Sequence, residues 1–398
     1  MTDEIKQRKL EHITVALEEG IGVGQRAGWR DIHLVHQALP EVDLEEVDTT
    51  TFFLGRRLAS PVVISALTGG HPEAVSINRN LARAAERYGL ALGVGSQRAA
   101  LVNPALASTY AVVREEAPHA FLIANIGAPQ LIDQVRHSAF TRTQVEEAIA
   151  MIEADALAVH MNALQEATQV EGDRRMRGVA AALRRLTAES PVPVIAKETG
   201  AGVCREQALL LRSCGVAAID VGGAGGSSMS ALEAARARAH GEKQAQEIGE
   251  LYRDWGIPTP IALVEAGAAG LPLIATGGVR SGLDVARALA LGATLVGMGF
   301  PFLRAASESY ERVCELLEQT LTELKIAMQL SGAANLTALR QVDVVIGGET
   351  RAWLSLRGFE EELRTLANRR ARAAAYKLPV SERLPEQNEW PSQADGHG

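Results

Sequence analysis

The sequence is poor in cysteine and in aromatic residues. Of 398 residues only Cys204, Cys214 and Cys314 are cysteines, too few and too scattered for a disulfide framework or a zinc site. Aromatic residues make up 4% of the chain, a poor supply of rings for stacking on nucleic-acid bases. Because so few cysteines suit a reducing compartment, we expect the protein to be cytoplasmic.

Net positive charge and long apolar runs are also missing. The formal net charge is −8, which argues against nucleic acid or an anionic membrane as a partner. No run approaches the roughly 18 apolar residues of a membrane span, and the charged N-terminus has no apolar signal core. Hydrophobic residues still make up 47% of the chain, enough for a sizeable core. We therefore expect a soluble globular protein.

Short apolar runs alternate with helical patterns along most of the chain. The runs cover residues 61–66, 90–95, 121–124, 156–159, 193–196, 217–221, 272–275 and 294–298. Such an alternation predicts a (β/α)₈ barrel of parallel strands. An open doubly wound sheet is the alternative, but the even spacing of the strands favours closure.

The same pattern predicts the helices. They are expected over residues 78–88, 104–116, 173–188, 204–214 and 305–330, together with a barrel helix near 258–268. Thr143-Gln-Val-Glu146 fits a capping box that opens the helix before the fourth strand. Two extra helical stretches, 228–240 and 243–255, predict an insertion between strands six and seven. This insertion would lie on the catalytic face and could form a lid carrying Trp255.

These elements divide the chain into four parts. Residues 1–55 form an N-terminal extension that contributes substrate-binding residues, and residues 56–335 form the barrel. Residues 336–376 are expected to be a C-terminal helical segment. Residues 377–398, with prolines among polar residues, are expected to be a disordered tail.

The eight predicted strands end in polar side chains or glycines. In chain order these endings are Thr68, Ser96, Asn125, His160, Lys197, the loop 222–228, the loop 277–280 and Gly299. One polar loop after a strand is ordinary, but in a barrel all these ends share one face, so together they predict a site there. The fourth ending, His160-Met-Asn-Ala-Leu-Gln-Glu166, is the richest in groups that donate, accept, titrate or bind metal.

Some endings suggest particular chemistry. Gly277-Gly-Val-Arg280 offers backbone N–H groups and a following helix to an anion, and a phosphate site after strands seven and eight recurs in this fold. Lys197 could be a Schiff-base nucleophile, a phosphate ligand or a positive charge beneath an anionic cofactor ring. Glu166 could bind Mg²⁺ together with substrate phosphates, or it could simply be solvated. His160 could equally be a structural histidine.

Taken together, these residues resemble one known family. The motifs are Arg8-Lys9…His12, Leu67-Thr-Gly-Gly70, Ser96-Gln-Arg98, His160-x-Asn-x-x-Gln-Glu166, Lys197, Gly222-Gly-Ala-Gly-Gly and Gly277-Gly-Val-Arg280. The set closely resembles the type 2, FMN-dependent isopentenyl-diphosphate isomerases, over about residues 5–330. In that family the loop Gly222-Gly-Ala-Gly-Gly is usually followed by Thr. This chain has Ser227 there, which keeps the hydroxyl.

The resemblance implies an enzyme of isoprenoid biosynthesis that interconverts isopentenyl and dimethylallyl diphosphate. It would need reduced FMN, Mg²⁺ and NAD(P)H as reductant, and would form a homo-oligomer, either a tetramer or an octamer. The implied cofactor-binding residues are Ala66, Leu67, Thr68, Gly69, Ser96, Asn125, Lys197, Ser227, Gly277, Gly278, Val279, Arg280, Gly299 and Phe300. The implied substrate-binding residues are Arg8, Lys9, His12, Ser96, Gln97, Arg98, Asn162 and Gln165. Glu166 would bind the metal. His160, Gln165 and Lys197 are the candidate catalytic residues, with the reduced flavin as acid and base.

Two other functions remain open. The phosphate loop and the strand-five lysine also resemble FMN-dependent 2-hydroxy-acid oxidoreductases. Those enzymes need a His-Gly-Gly base motif after strand seven, whereas the loop here, Thr276-Gly-Gly-Val-Arg280, has no histidine. A flavin-free phosphate-binding barrel, such as a lysine aldolase, is the other alternative.

Overall fold

The computed structural model describes residues 10–12, 14–15 and 27–372. The predictions for Arg8, Lys9 and a tail beginning at residue 377 fall outside these residues. Residues 10–12 and 14–15 are helical.

The predicted closed barrel is confirmed. The strands are β1 (Ile32–Leu34), β2 (Thr51–Phe53), β3 (Arg56–Leu58), β4 (Val62–Ile64), β5 (Ala91–Gly93), β6 (Phe121–Gly127), β7 (Ala156–Met161), β8 (Val194–Glu198), β9 (Ala218–Asp220), β10 (Leu273–Thr276), β11 (Leu295–Met298) and β12 (Val344–Ile346). Strands β4 to β11 pair in parallel around a ring, and β11 closes it by pairing with β4. These strands read as continuous apolar runs because one face of each packs inside the barrel and the other against helices.

Helices surround the ring. Their bounds are α1 (Ala74–Tyr88), α2 (Arg98–Val102), α3 (Ser108–Glu116), α4 (Arg142–Ala150), α5 (Ala163–Thr168), α6 (Val179–Glu189), α7 (Arg205–Ser213), α8 (Met229–Ala239), α9 (Lys243–Leu251), α10 (Thr259–Ala266), α11 (Gly282–Ala290), α12 (Phe300–Glu308), α13 (Tyr310–Leu330), α14 (Leu336–Leu339), α15 (Gly348–Leu356), α16 (Glu360–Ala367) and α17 (Arg369–Arg372). Within the described part of the chain, no helix combines the length and apolar character needed to cross a bilayer.

Three helix predictions were wrong in detail. The capping box lies at Thr141, whose hydroxyl accepts from the Gln144 N–H while the Gln144 side chain accepts from the Thr141 N–H. The helix expected from residue 173 begins at Val179. The helix expected over 305–330 is two helices, because Ser309 is extended and its hydroxyl caps α13 by accepting from the Arg312 N–H.

The insertion predicted between the sixth and seventh barrel strands is present as the pair α8 and α9. Gly249 allows the two helices to approach closely, because a Cβ there would lie 2.8 Å from the Ala234 Cβ. The Ser230 hydroxyl donates to the Gly249 carbonyl at 2.8 Å across the same contact. Trp255 follows α9, packs edge-on against Tyr252 and is 63% exposed.

Two pairs of short strands were not predicted. β2 and β3 form a hairpin through Leu54 and Gly55, both at positive φ as a tight two-residue hairpin turn requires. Its Phe53 packs edge-on against Phe121 at 5.7 Å, within the apolar cluster of the barrel interior. The C-terminal segment, expected to be helical, also contains β12, which pairs antiparallel with β1.

Replacing Phe53 with alanine tests the hairpin as a plug for the barrel. The side chain is 1% exposed, so its removal leaves a cavity, and we expect a loss of about 3–5 kcal/mol in the free energy of unfolding. The adjacent Phe52 is 69% exposed, and Phe52→Ala should cost less than about 1 kcal/mol. Urea unfolding of both variants measures the difference. Equal losses would show that the plug contributes nothing of its own.

Candidate active site

The carboxyl ends of the barrel strands open on a cavity of about 320 Å³. Most of the predicted site residues line it. They are His12, Ala66, Leu67, Thr68, Ser96, Arg98, Asn125, His160, Asn162, Gln165, Glu166, Lys197, Ser227, Gly277, Gly278, Val279, Arg280, Gly299 and Phe300. Barrel closure therefore brings together side chains that are up to 288 positions apart in sequence, from His12 to Phe300.

Gln97 and Gly69 do not line the cavity. Gln97 is fully buried: its Nε2 donates to the Ala148 carbonyl at 2.7 Å, and its Oε1 accepts from the Asn125 N–H at 2.9 Å. Gly69 faces the Tyr110 ring, which a Cβ on Gly69 would approach to 2.0 Å. Both residues support the strand ends from behind.

His160 is oriented by its neighbour on β6. The Asn125 Nδ2 donates to the Val94 carbonyl at 3.0 Å, which leaves Oδ1 to accept from the His160 Nδ1 at 2.9 Å. A neutral imidazole then carries its proton on Nδ1 and its lone pair on Nε2, a tautomer that the hydrogen-bond network assigns.

Glu166 and Asn162 form an oxygen-rich corner of the cavity. The Glu166 carboxylate accepts from the Asn162 Nδ2 at 2.9 Å and from the Asp173 N–H at 2.6 Å. The Asn162 Oδ1 is buried and has no hydrogen-bond partner among the described residues. Carboxylate and amide oxygens suit a hard divalent cation. In the described part of the chain no group of three or more His, Cys, Asp or Glu side chains could hold a metal, so a cation here would need further ligands from substrate or water.

Glu233 of α8, which sequence reasoning missed, ties the N-terminal helix to the cavity wall. It accepts from the Gln165 Nε2 at 2.8 Å and pairs with the His12 Nε2 at 3.1 Å and with Arg236. Burial alone would raise the pKa of Glu233, but His12, Arg236 and Gln165 outweigh it and lower the pKa to about 2. The buried carboxylate is therefore ionised, and Glu11 adds a second pair to Arg236 at 3.0 Å.

Lys197 forms an ion pair with Asp220 across β8 and β9. The Nζ lies 3.0 Å from the Asp220 carboxylate, and both side chains are largely buried. Asp220 also accepts from the Gly222 N–H at 3.2 Å, so its position is fixed from the glycine-rich loop. An ion pair suits a cation that offsets negative charge in the cavity, and it does not suit the neutral amine that a Schiff-base nucleophile requires.

Glu198, also missed, holds the loop that follows β8. One carboxylate oxygen accepts from the N–H groups of Gly200, Ala201 and Gly202 at 2.7, 2.5 and 3.1 Å. Burial raises the pKa of Glu198 to about 7, even though these backbone hydrogen bonds act in the opposite direction. The group therefore titrates near neutrality at the wall of the cavity.

The glycine loops and one helix end form an anion-binding corner. Gly277 and Gly278 have φ of 128° and 66°, and a Cβ on Gly278 would lie 2.5 Å from the Gly225 carbonyl. The next helix, α11, is already capped by the Ser281 hydroxyl. The N-terminus of α12, after Gly299, has no side-chain cap hydrogen bond and lines the cavity, so the positive end of this helix faces it. Pro301 has no N–H, and the N–H groups of Phe302 and Leu303 donate to the Gly299 carbonyl at 2.9 and 3.1 Å.

Three hydroxyl oxygens on the wall of the cavity are buried without a partner. They are the Ser65 Oγ, the Thr68 Oγ1 and the Thr276 Oγ1, with partners sought among the described residues. Buried polar atoms are rarely left unpaired because each costs desolvation energy, so these hydroxyls indicate a ligand surface. Ser65 and Thr276 lie at or next to the ends of β4 and β10, and a stricter application of the strand-end rule would have found them.

Other cavity residues had no signal in the sequence. Met229 and Leu232 come from the insertion helix α8, Gln130 comes from a short 3-10 helix after β6 (Ala128–Leu131), and Gln169 directly follows α5. Their positions depend on how these segments fold back over the barrel mouth.

Comparison with known proteins shows which families this chain resembles. The model of the FMN-dependent dehydrogenase family matches residues 2–345. The isopentenyl-diphosphate delta-isomerase of Methanothermobacter thermautotrophicus is 46% identical over 357 residues, covering 89% of this chain and 97% of that protein. The protein of the same name from Methanoregula boonei is 51% identical over 346 residues, covering 86% and 94%. The solved structure of mandelate oxidase with (S)-2-phenylpropionate superimposes with a TM-score of 0.55 at 20% identity, covering 87% of this chain and 98% of that one. At that identity the likeness concerns the fold alone.

Glu198→Gln tests the unusual titration at the cavity wall. The pKa of Glu198 rises from an ordinary 4.5 to about 7 in the folded protein, so ionisation disfavours the folded state increasingly as pH rises through this window. The amide cannot ionise. Relative to the variant, the wild type should therefore lose unfolding free energy between about pH 4.5 and 7 and stay lower above it. Urea unfolding at pH 5 and pH 8 measures this, and a difference that does not change with pH would contradict it.

Proposed function

The chain belongs to the isopentenyl-diphosphate delta-isomerases within the FMN-dependent dehydrogenase family, and we propose that it converts isopentenyl diphosphate to dimethylallyl diphosphate. The observation that carries the proposal is that two kinds of surface share one cavity. One has unpaired hydroxyls, glycine loops and an uncapped helix end. The other has basic side chains beside the oxygen-rich corner of Asn162 and Glu166.

The first surface fits FMN. The buried hydroxyls of Ser65, Thr68 and Thr276 have no partner among the described residues and would contact the ring and its side chain, with Lys197 supplying positive charge. The loop 277–280 and the N-terminus of α12 would hold the phosphate. Bound in its reduced form, FMN supplies groups that can give and take the protons of an allylic shift.

The second surface fits a diphosphate with Mg²⁺. Glu166 and Asn162 provide hard oxygen atoms, and a cation with one protein carboxylate completes its shell with substrate phosphates and water. Arg98 and His12 line the same cavity and would bind the diphosphate. Arg8 and Lys9 would bind the diphosphate as well.

The protein's own side chains hold the substrate in place and keep it dry. Moving the double bond requires a proton added at the terminal methylene and one removed from the carbon next to the diphosphate-bearing carbon, so the alkene must be fixed to within a bond length. Gln165 is held by Glu233 and His160 by Asn125, so both side chains have defined orientations at the cavity. The N-terminal helix and α8 would cover the substrate and exclude water.

Several finer properties belong to the same proposal. They are NAD(P)H as the reductant, a cytoplasmic location, assembly into a homo-oligomer and a place in isoprenoid biosynthesis. They rest on the family resemblance and on the cysteine usage of the sequence.

The competing function is oxidation of a 2-hydroxy acid. The fold is shared with mandelate oxidase, but the histidines of the cavity wall are His12 and His160, and neither lies in the loop after β10. That loop, Thr276-Gly-Gly-Val-Arg280, contains two glycines but no histidine that could act as the base.

A direct assay separates the two functions. The purified protein is incubated without oxygen with FMN, NADPH, Mg²⁺ and isopentenyl diphosphate, and the products are analysed by mass spectrometry after dephosphorylation. We expect dimethylallyl diphosphate and no net consumption of NADPH after the flavin is reduced. A separate assay in air without NADPH, where oxygen accepts electrons from the flavin, tests (S)-mandelate and lactate, and we expect no oxidation of either. Turnover of a hydroxy acid without isomerisation would overturn the proposal.

Glu166→Gln tests the metal corner. The change keeps the shape and one acceptor oxygen but removes the charge, so we expect apparent Mg²⁺ affinity to fall about 10- to 100-fold while FMN stays bound. Activity titrated with Mg²⁺ and the absorbance of bound flavin measure the two effects. Glu153→Gln is the matched control, because Glu153 is exposed and precedes β7 at the opposite end of the barrel. Loss of flavin in place of metal affinity would reassign Glu166.

A further inference from the structure

Asp173, in the loop between α5 and α6, is the centre of a buried hydrogen-bond network. Its side chain is 7% exposed. The carboxylate accepts from the Arg98 Nη1 at 2.6 Å, from the His137 Nε2 at 2.9 Å and from the Gln130 Nε2 at 3.3 Å. Asp173 itself does not line the cavity, whereas Arg98 and Gln130 do.

The backbone of Asp173 makes a second contact of a different kind. Its N–H donates to the Glu166 carboxylate at 2.6 Å. The preceding Gly172 permits this approach, because a Cβ there would lie 1.9 Å from the Glu166 carbonyl oxygen. One residue therefore contacts both the arginine and the carboxylate of the proposed diphosphate and metal site.

The loop after Asp173 is held by contacts that do not involve its carboxylate. The Gln134 Nε2 donates to the Arg175 carbonyl at 3.0 Å, and the Gln134 Oε1 accepts from the Arg175 N–H at 3.1 Å. A change confined to the Asp173 carboxylate should therefore leave the loop and the N–H contact to Glu166 in place.

The charges at Asp173 favour a positioning role. The Asp173 carboxylate lies 2.6 Å from the Arg98 Nη1 and 2.9 Å from the His137 Nε2, and the Gln130 Nε2 also donates to it. A guanidinium has five N–H donors, so a bond from Nη1 leaves donors for an anion. Holding a long arginine side chain in one rotamer in advance removes an entropy cost from ligand binding.

We propose that Asp173 is a positioning residue of the anion site. Its carboxylate holds Arg98 and its N–H holds Glu166, which keeps the Arg98 guanidinium and the Glu166 carboxylate at a fixed separation. The proposal rests on the proposed function in so far as Arg98 and Glu166 serve a diphosphate.

The test measures binding of inorganic pyrophosphate to the full FMN-loaded chain in the presence of Mg²⁺ by isothermal titration calorimetry. This readout does not require isomerase activity, so it can succeed where the proposed function fails. Asp173→Asn should weaken pyrophosphate binding about tenfold, the loss expected for a hydrogen bond to a charged group. Mn²⁺ binding, followed by electron paramagnetic resonance, should be retained because the N–H to Glu166 remains.

A double-mutant cycle shows whether Asp173 acts through Arg98. Arg98→Ala should weaken pyrophosphate binding by itself, and Asp173→Asn added to it should cause no further loss. Asp155→Asn is the matched control: Asp155 also pairs with two arginines, Arg56 and Arg114, but lies just before β7 at the far end of the barrel. It should lower stability and leave pyrophosphate affinity unchanged.

The proposal is overturned by unchanged or tighter pyrophosphate binding in Asp173→Asn, or by effects of Asp173→Asn and Arg98→Ala that simply add. Equal loss of pyrophosphate and Mn²⁺ binding would also overturn it, because that result indicates collapse of the loop. An inactive wild type that binds pyrophosphate with the expected pattern would reject the proposed function and keep this inference.

Discussion

Closure of the barrel is the constraint on which the rest of the structure depends. Eight parallel strands satisfy their backbone hydrogen bonds without an exposed edge only when the last strand pairs with the first, as β11 does with β4. The same closure places every carboxyl end around one cavity. The hairpin carrying Phe53 packs into the opposite end, and the cavity opens at the face that carries the polar strand ends.

The polar groups at this face fall into two classes. Charged side chains are held by ion pairs: Lys197 with Asp220, Arg98 with Asp173, and Arg236 with Glu233. An unpaired buried charge would be too costly to keep, so each of these groups is fixed in place by its partner. Neutral groups, such as the Thr276 hydroxyl and the Asn162 carbonyl, lack partners in the described part of the chain, and a ligand can satisfy them at small cost. Ion pairs therefore fix the orientation of the charged groups, including Arg98 and Lys197 at the cavity, while the unpaired neutral groups are left for a ligand to satisfy.

Charge pairing also joins parts of the chain that the barrel does not join. The insertion helix α8 carries Glu233 and Arg236, and the N-terminal helix brings His12 and Glu11 to them. Because Gln165 donates to the same Glu233, the extension, the insertion and helix α5 after β7 meet at one buried carboxylate. A site on rigid strands thus gains a cover from segments that lie outside the barrel pattern.

The sequence by itself determined the repeating elements and the chemistry of the strand ends. Apolar β-branched runs such as 61–66 can be satisfied only as buried strands, and the polar or glycine residue that follows each run marks where it reaches the surface. Thr141 and Thr143 both satisfy the capping pattern in the sequence, and in the structure the helix begins after Thr141. The tertiary structure alone decided which polar residues face the ligand and which support it. The sequence predicted Gln97 as a substrate-binding residue and Asp173 only as the start of a helix. Their roles follow from long-range partners, the Ala148 carbonyl and the Arg98 guanidinium, and no local pattern encodes such a partner.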